Sequence, residues 1–276
     1  MTIVYACIAP HGGEIIPELA PKRGAEKFLQ TREGMLRLAQ DIKQARPSLI
    51  VIASPHNLRL WKNIAVVTAH NSSGTVKGPS KSIRLRAKCD AAFARKLVKN
   101  AEAEKLPVVA ANYGTAEGPL SDMPMDWGTL IPLWFFLKLN RLRSRIVIVA
   151  PSREIPLVKN VEFGEIIAET AEKDGGRVVF VASADQAHAH KKSGPYGFSK
   201  QATEYDKRVV DAVKANRLQA ILEFDQEFIE AAKPDSLWQM AMLVGVARKV
   251  SLKSRLYSYQ VPTYFGMLCA AFKRTP

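Results

Sequence analysis

The stretch SLIVIASPHN, residues 48–57, joins an apolar run to a proline, a histidine and an asparagine. Ser48–Ala53 has the length and the β-branched content of a strand buried on both faces. Three further runs of the same kind occur elsewhere in the chain: Ile3–Ile8, Arg145–Ala150 and Arg177–Ala182. Helical patterns separate these runs. The alternation predicts an α/β fold, a single domain over residues 1–276 with a central, largely parallel or mixed sheet flanked by helices.

The remaining segments complete this prediction. Ile64–Thr68 and Ser82–Ala87 are predicted to form a strand pair, joined by a polar loop that includes residues 70–78. Two more strands are predicted at Val108–Ala111 and, closing the chain, at Tyr264–Phe272. Helices are predicted at Thr31–Ala45 (with Thr31 as the N-cap), Asp90–Ala103, Thr129–Leu139, Glu162–Lys173, Tyr205–Ala215 and Ser236–Val246.

The composition is that of an ordered globular protein, with 47% hydrophobic and 24% charged residues. The net charge of +14 comes from 40 Lys and Arg against 26 Asp and Glu. These basic residues are scattered along helical segments and form no dense run interleaved with aromatic residues. We therefore predict a solvated basic surface that attracts anionic substrates, and no nucleic-acid partner.

The cysteines and the apolar runs indicate the cellular compartment of the protein. Cys7, Cys89 and Cys269 are odd in number, widely spaced and form no CxxC pair, which argues against disulfides and against a thiolate zinc site. No apolar run reaches the roughly 18 residues that a membrane helix needs. Met1–Pro10 is short and lacks a basic leader. The sequence predicts a cytoplasmic protein without a membrane partner.

Four of the five histidines follow predicted strands. His11 and His56 each come after one strand, and His188 and His190 come after a third, whereas His70 lies in a polar loop and receives no role. A single histidine in such a position is more often structural. Ligands of open α/β sheets, however, bind beyond the carboxyl ends of the strands, so these imidazoles meet at one edge. Together with a carboxylate they would suit either Fe(II) or Zn(II).

Four motifs in order carry a family resemblance. They are APHGGEIIPE at residues 9–18, SPHN at 54–57, MDWGTLIPL at 125–133 and SADQAHAH followed by GPYG at 183–197. They resemble the class III extradiol ring-cleavage dioxygenases, the LigB-type superfamily. The resemblance implies Fe(II), O2 and a small aromatic substrate of the catechol or 2-aminophenol type. It also implies a homo-oligomer, with a second subunit in some relatives.

The resemblance assigns roles by position. It implies metal ligation by His11 and His56 and acid/base catalysis by His188. The family takes its third ligand, a carboxylate, from the region before the last long helix, where Asp235 is the first choice and Glu230 the second. We also predict that three residues near the site contact the substrate: Trp127, Tyr196 and His190.

One departure from the family keeps other functions open. Many members have Asp-His-Gly where this chain has Asp126-Trp127-Gly128, so the substrate is expected to differ from the familiar catechols. Relatives such as Memo-type proteins and non-catalytic subunits keep the fold while changing or losing ligands. The alternatives are therefore a metal protein, for instance with Zn(II), of non-oxygenase activity, and a vestigial subunit or scaffold that binds a partner.

Overall fold

The computed structural model describes residues 2–275. A mixed sheet of eight strands runs through it. Its strands are β1 Thr2–Ala9, β2 Leu49–Ala53, β3 Ile64–Val67, β6 Val108–Ala111, β8 Arg145–Ala150, β9 Arg177–Ser183, β10 Leu252–Gln260 and β11 Met267–Arg274. Their order across the sheet is β10-β11-β1-β9-β2-β8-β3-β6. A second sheet has the order β5-β4-β7, formed by β4 Asn71–Lys77, β5 Ser82–Lys88 and β7 Asp122–Pro124.

Four neighbouring strands at the centre of the large sheet are parallel. They are β1, β9, β2 and β8, and each consists largely of buried aliphatic residues, as strands covered on both faces require. Their carboxyl ends lie at one edge of the sheet. The loops that follow these four strands therefore start side by side, and they carry the residues of the candidate site.

Helices cover both faces of the sheet. They are α1 Leu29–Ala45, α2 Ala91–Ala103, α3 Trp127–Leu133, α4 Leu157–Asp174, α5 Lys200–Lys214, α6 Gln226–Ala232 and α7 Leu237–Lys249. The core on one face contains α1, α3 and the small sheet, and the core on the other contains α2, α4, α5 and α7. Because both cores share one sheet, these layers form one domain, and the predicted α/β class is confirmed.

Glycines let two helices approach closely on the second face. A Cβ on Gly164 of α4 would lie 2.0 Å from the carbonyl oxygen of Met242, and one on Gly245 of α7 would lie 1.9 Å from that of Val161. No side chain fits between the backbones at these distances. This close contact fixes α7, whose first turn follows Asp235.

The predicted pairing of Ile64–Thr68 with Ser82–Ala87 is wrong. The first segment, β3, joins the large sheet between β8 and β6, while the second, β5, pairs with β4 in the small sheet. The predicted polar loop is mostly strand β4. Its polar sequence NSSGTVK forms the centre of a partly exposed sheet, where polar residues occupy the outward positions.

Several predicted boundaries are corrected. Helix α1 begins at Leu29, so Thr31 is buried inside it and is not the N-cap. The closing strand runs over Met267–Arg274, so Tyr264 precedes it. Strand β10 was not predicted. It lies at the edge of the sheet, and its largely polar sequence LKSRLYSYQ lacks the continuous apolar run that identifies the central strands. Among residues 2–275, no helix combines the length and the apolar character needed to cross a membrane.

Candidate metal centre

Three side chains from distant parts of the chain meet at the carboxyl edge of the parallel strands. His11 follows β1, His56 follows β2, and Asp235 immediately precedes Ser236, which caps α7. The Nε2 atoms of the two histidines are 3.2 Å apart, and Asp235 Oδ2 lies 3.2 Å from His11 Nε2 and 3.0 Å from His56 Nε2. Within the described part of the chain, these are the His, Cys, Asp or Glu residues whose donor atoms cluster in this way.

The donor set fits a metal ion. Asp235 is buried, and its Oδ2 accepts no well-aligned hydrogen bond although two imidazole nitrogens lie near it. Two imidazole nitrogens and one carboxylate oxygen thus converge, although the oxygen forms no well-aligned hydrogen bond to either nitrogen. Such a set of two histidines and one carboxylate binds divalent metals and leaves coordination positions open for other ligands. The cluster is therefore one that can hold a metal ion.

A hydrogen-bond chain orients His11. The Ser183 hydroxyl donates its proton to the carbonyl of Gly128, so it can only accept from His11 Nδ1, 2.9 Å away. That carbonyl is free because Pro132, four residues later in α3, has no N–H to donate to it. His11 thus carries its proton on Nδ1 and directs the lone pair of Nε2 at the cluster.

His56 is held by a loop contact and a ring. Trp127 stacks on His56 with ring centroids 4.2 Å apart, and the Ser54 hydroxyl donates to Asp126 Oδ1 over 2.7 Å. Asp126 also accepts from the N–H of Thr129 and is the N-cap of α3, so it holds the loop. A Cβ on Gly128 would lie 2.7 Å from Ser54 Oγ, so only glycine allows this approach.

A second carboxylate, Asp185, lies beside the cluster and was missed by sequence reasoning. The backbone N–H of His11 donates to Asp185 Oδ1 at 3.0 Å, and Asp185 Oδ2 is 3.3 Å from His11 Nε2. Burial lowers the pKa of His11, but Asp185 and Asp235 outweigh it and raise that pKa above its usual value. The same negative potential favours a metal cation.

Hydrogen bonds to its side chain and to its backbone carbonyl fix Asp235. Arg153, which follows β8, donates through Nη2 to Asp235 Oδ1 and stacks on Trp238 with 4.4 Å between its guanidinium carbon and the ring centroid. Gln239 donates to the Asp235 carbonyl at 2.7 Å. Burial alone would raise the pKa of Asp235, but the two histidines beside its Oδ2 hold that pKa well below its usual range. Asp235 is therefore ionised at neutral pH, with Oδ2 left for the cluster.

His188, in the loop after β9, lines the cavity beside Asp235. Its Nδ1 donates to the carbonyl of Gln186 over 2.8 Å, so the neutral ring keeps a free lone pair on Nε2. Burial lowers the pKa of His188 below its usual value despite the nearby carboxylates. Its ring stacks on Phe265 at 5.1 Å between centroids. The residue is a neutral base in an aromatic setting.

The cavity beside Asp235 measures about 250 Å³. Tyr196 lines it and meets the His188 ring edge-on at 5.6 Å between centroids. Glu230, the second choice for the third ligand, also lines the cavity but accepts from Gln226 at 2.7 Å and lies outside the cluster. Trp127 is half-exposed and reaches the site only through His56.

His190 is not brought to the cavity. Its Nε2 lies 2.9 Å from Oδ2 of the buried Asp206, which also accepts from Tyr259 and from the backbone N–H of Ala187. This buried carboxylate holds the loop that carries His188. The two histidines of the SADQAHAH motif therefore face different partners, although they are two residues apart.

The fold and the cluster define a class: α/β proteins with a candidate mononuclear metal site of two imidazoles and one carboxylate at the carboxyl edge of a parallel sheet. Residues 5–269 match the LigB family, described as the catalytic LigB subunit of aromatic ring-opening dioxygenase. The chain belongs to this family, which confirms the resemblance stated above. LigB proteins are generally metal-dependent, which agrees with the donor cluster of this chain.

The chain is also similar to one curated protein and to one solved structure. Protein CA_C1420 of Clostridium acetobutylicum is 26% identical over 258 residues, which are 92% of this chain and 54% of that protein. The chain thus spans about half the length of this curated relative. The crystal structure of the uncharacterized protein JW3007 from Escherichia coli K12 shares the fold, with a TM-score of 0.61 and 16% identity over 97% of this chain and 99% of that one.

Proposed function

We propose that this protein is a non-haem Fe(II)-dependent extradiol dioxygenase that opens the ring of a catechol-like or 2-aminophenol-like aromatic compound with O2. The observation that carries the proposal is the convergence of His11, His56 and Asp235 beside the free Nε2 of His188. In the overall reaction a ring carbon–carbon bond next to an oxygen-bearing carbon breaks, and both atoms of O2 enter the product. Bound iron would supply the Lewis-acid and redox chemistry that lets the aromatic substrate react with O2.

The residues of the chain have separate tasks in this proposal. His11, His56 and Asp235 are the metal ligands, and Ser183 and Arg153 keep two of them in position. His188 accepts a proton from the substrate hydroxyl at Nε2 and returns it later in the reaction. The neutral form needed for the first step is the one that burial favours. The whole of residues 1–276 forms the catalytic domain.

Aromatic side chains provide the substrate surface. Tyr196 and Phe265 flank His188, so a flat ring that reaches His188 Nε2 would lie against them. Trp127 replaces a histidine of many family members and offers a stacked, apolar surface behind His56. His190 is assigned no substrate contact, because its ring nitrogen faces Asp206.

The test is anaerobic reconstitution with Fe(II), followed by metal quantitation and oxygen uptake with a panel of catechols and 2-aminophenols. We expect one iron per chain, substrate-dependent oxygen uptake and a yellow ring-opened product from at least one compound. The His56→Ala variant is the matched control, because it removes one donor at a partly exposed position. Equal uptake by that variant would contradict the proposal.

The identity of the bound metal distinguishes the proposed dioxygenase from the main alternative, a metal protein of non-oxygenase activity. The same donors suit Zn(II), which binds O2 poorly but serves hydrolysis and other polar reactions. A protein that takes up Zn(II) in one equivalent, and that remains inactive with Fe(II) on every diol tested, would favour the non-oxygenase function. A folded chain that binds neither metal would favour the vestigial subunit or scaffold.

The setting of the reaction is also proposed. The three cysteines are buried free thiols, which suits a reducing cytoplasm. A homo-oligomer, with or without a second subunit, follows from the family resemblance, and light scattering after size-exclusion chromatography tests it. Nucleic acid is not proposed as a partner, and the absence of salt-sensitive binding to duplex or single-stranded DNA would agree with this.

A further inference from the structure

A larger groove lies next to the metal cavity. Its volume is about 940 Å³, against about 250 Å³ for the metal cavity. Its walls come from the segment after His11, the turn between β4 and β5, the loop after His188 and the segment before β11. Small-molecule sites measure roughly 300–1,000 Å³. The metal cavity is therefore suited to little more than one ring, and the groove to a much longer group.

The groove is strongly cationic. Four basic residues line it, and Glu14 is the one acidic residue among its lining. None of the four takes part in an ion pair or in a side-chain hydrogen bond within residues 2–275, whereas several other surface cations do. These unpaired cations are Arg23, Lys27, Lys77 and Lys191. Their shared potential favours an anion.

The groove also has a fixed apolar wall. Leu19 and Phe28 are buried and line it together with Val76 and Tyr264. The turn at Gly78 rests directly on Leu19, since a Cβ on Gly78 would lie 2.7 Å from the Leu19 Cα. Apolar walls with a cationic rim match an organic anion that has an apolar body better than they match a free inorganic ion.

Two tyrosines connect the groove with the metal cavity. Tyr196 lines the metal cavity and Tyr264 lines the groove, and their ring centroids are 6.3 Å apart. Both rings approach His188, at 5.6 Å and 5.8 Å between centroids. Lys191, on the rim of the groove, follows His188 by three positions. A molecule with its ring beside His188 can therefore extend past the tyrosines toward the cations.

We propose that the groove binds the apolar, anionic side chain of an aromatic substrate whose ring occupies the metal cavity. The ring position rests on the proposed function, but binding of an organic anion in the groove does not. The substrate class is an aromatic diol or aminophenol with an extended chain that ends in a carboxylate or phosphate.

The binding test uses the metal-free full chain and two fluorescent probes of similar shape. These are 8-anilinonaphthalene-1-sulfonate, which is anionic, and N-phenyl-1-naphthylamine, which is neutral. The double variant Lys27→Ala/Lys191→Ala should weaken binding of the sulfonate by about tenfold or more and change that of the neutral probe little. The control Lys43→Ala/Lys99→Ala removes two exposed lysines outside the groove and should behave as the parent.

Unchanged sulfonate affinity in the groove variant, or an equal loss in both lysine pairs, would overturn the proposal. A second arm uses the iron-loaded protein with catechol and with 3-(3,4-dihydroxyphenyl)propanoate. The groove variant should raise KM for the propanoate and leave KM for catechol unchanged. If the sulfonate result holds while no diol supports oxygen uptake, the groove is supported and the proposed function is contradicted.

Discussion

At the scale of single residues, the site depends on which nitrogen of each imidazole carries the proton. Ser183 accepts from Nδ1 of His11, and the Gln186 carbonyl accepts from Nδ1 of His188. Both rings therefore present a free lone pair on Nε2, one to the cluster and one to the cavity. The two rings share this protonation state but differ in role. His11 lies beside Asp235 and is assigned as a metal ligand, whereas His188 is assigned as the acid/base residue.

The substitution His188→Gln separates acid/base catalysis from metal binding. It removes the titratable nitrogen while keeping a polar side chain of similar size, so we expect unchanged iron stoichiometry and a loss of about 10²–10⁴ in kcat. Metal quantitation and oxygen uptake on the same samples measure both effects. His70→Gln, in which a histidine of the small-sheet region is changed, should retain full turnover. Normal turnover by His188→Gln would remove His188 from the chemistry.

Metal affinity should depend on pH in a defined direction. A proton and a metal ion compete for Nε2 of His11, whose pKa is raised above its usual 6.5 by the nearby carboxylates. Asp235 stays ionised throughout, because its pKa is held well below its usual range. We therefore expect affinity for Zn(II) to fall by about tenfold or more between pH 8 and pH 6. Competition titrations with a chelator measure it, and equal affinity at both values would exclude His11 as a ligand.

At the scale of elements, the loops after four parallel strands carry most of the site residues, and one helix helps to orient a ligand. β1, β9, β2 and β8 end side by side, and the loops after them carry His11, Asp185, His56 and Arg153. Helix α3 contributes through an irregularity: Pro132 leaves the Gly128 carbonyl free for Ser183. The position of a ligand thus depends on a proline in a helix far away in the sequence.

Removing the Ser183 hydroxyl should weaken the site without unfolding the protein. Ser183→Ala deletes the acceptor that holds His11 Nδ1, and such supporting partners typically contribute about 10–100-fold to metal affinity. The measurement is a metal titration together with circular dichroism. Ser144→Ala, a change in a serine that bonds only to the Pro47 carbonyl, is the matched control. Equal affinity in the two variants would show that the hydrogen-bond chain has no influence on His11.

The helix pair α4 and α7 should not tolerate a methyl group at its crossing. Gly245→Ala places a Cβ 1.9 Å from the Val161 carbonyl oxygen, so we expect a loss of stability of about 1–3 kcal/mol or more. Urea unfolding measures it. Gly13→Ala, where the new Cβ meets its nearest neighbour at 3.7 Å, should change stability little. A Gly245→Ala variant as stable as the parent would mean that the helices separate easily.

The sequence predicts this level of structure unevenly. The apolar strands and the histidines after them could be identified, because burial on two faces requires continuous aliphatic runs. Arg153 follows β8 in the same way, but an arginine in a loop has no periodic or compositional signal. Strand β10 and the β4–β5 pairing were also missed, since partners in partly exposed sheets are chosen by tertiary contacts. Asp185 lies inside the SADQAHAH motif, yet only the folded chain places it beside His11.

At the scale of the whole molecule, metal binding should couple to stability. The cluster brings two imidazoles and a buried carboxylate together, and no unfolded chain preserves that arrangement. At a free metal concentration about 100 times Kd, binding stabilises the folded state by about 2.7 kcal/mol. This corresponds to a rise in Tm of roughly 5 °C for a chain of this size.

Thermal unfolding with and without a chelator tests this coupling. The parent should lose its metal-dependent increase in Tm when the chelator is added, and the His11→Ala variant should show no such increase at any metal concentration. The coupling would be contradicted if the fully metal-loaded parent kept the same Tm after the chelator was added. The metal would then bind at a site that also exists in the unfolded chain.

The most direct test of the central claim is anomalous diffraction from crystals of the full chain, grown or soaked anaerobically with Fe(II). We expect one strong peak at roughly 2.0–2.2 Å from His11 Nε2, His56 Nε2 and Asp235 Oδ2. A peak ligated by other residues, or none at this cluster in crystals that contain iron, would contradict the assignment of the metal centre.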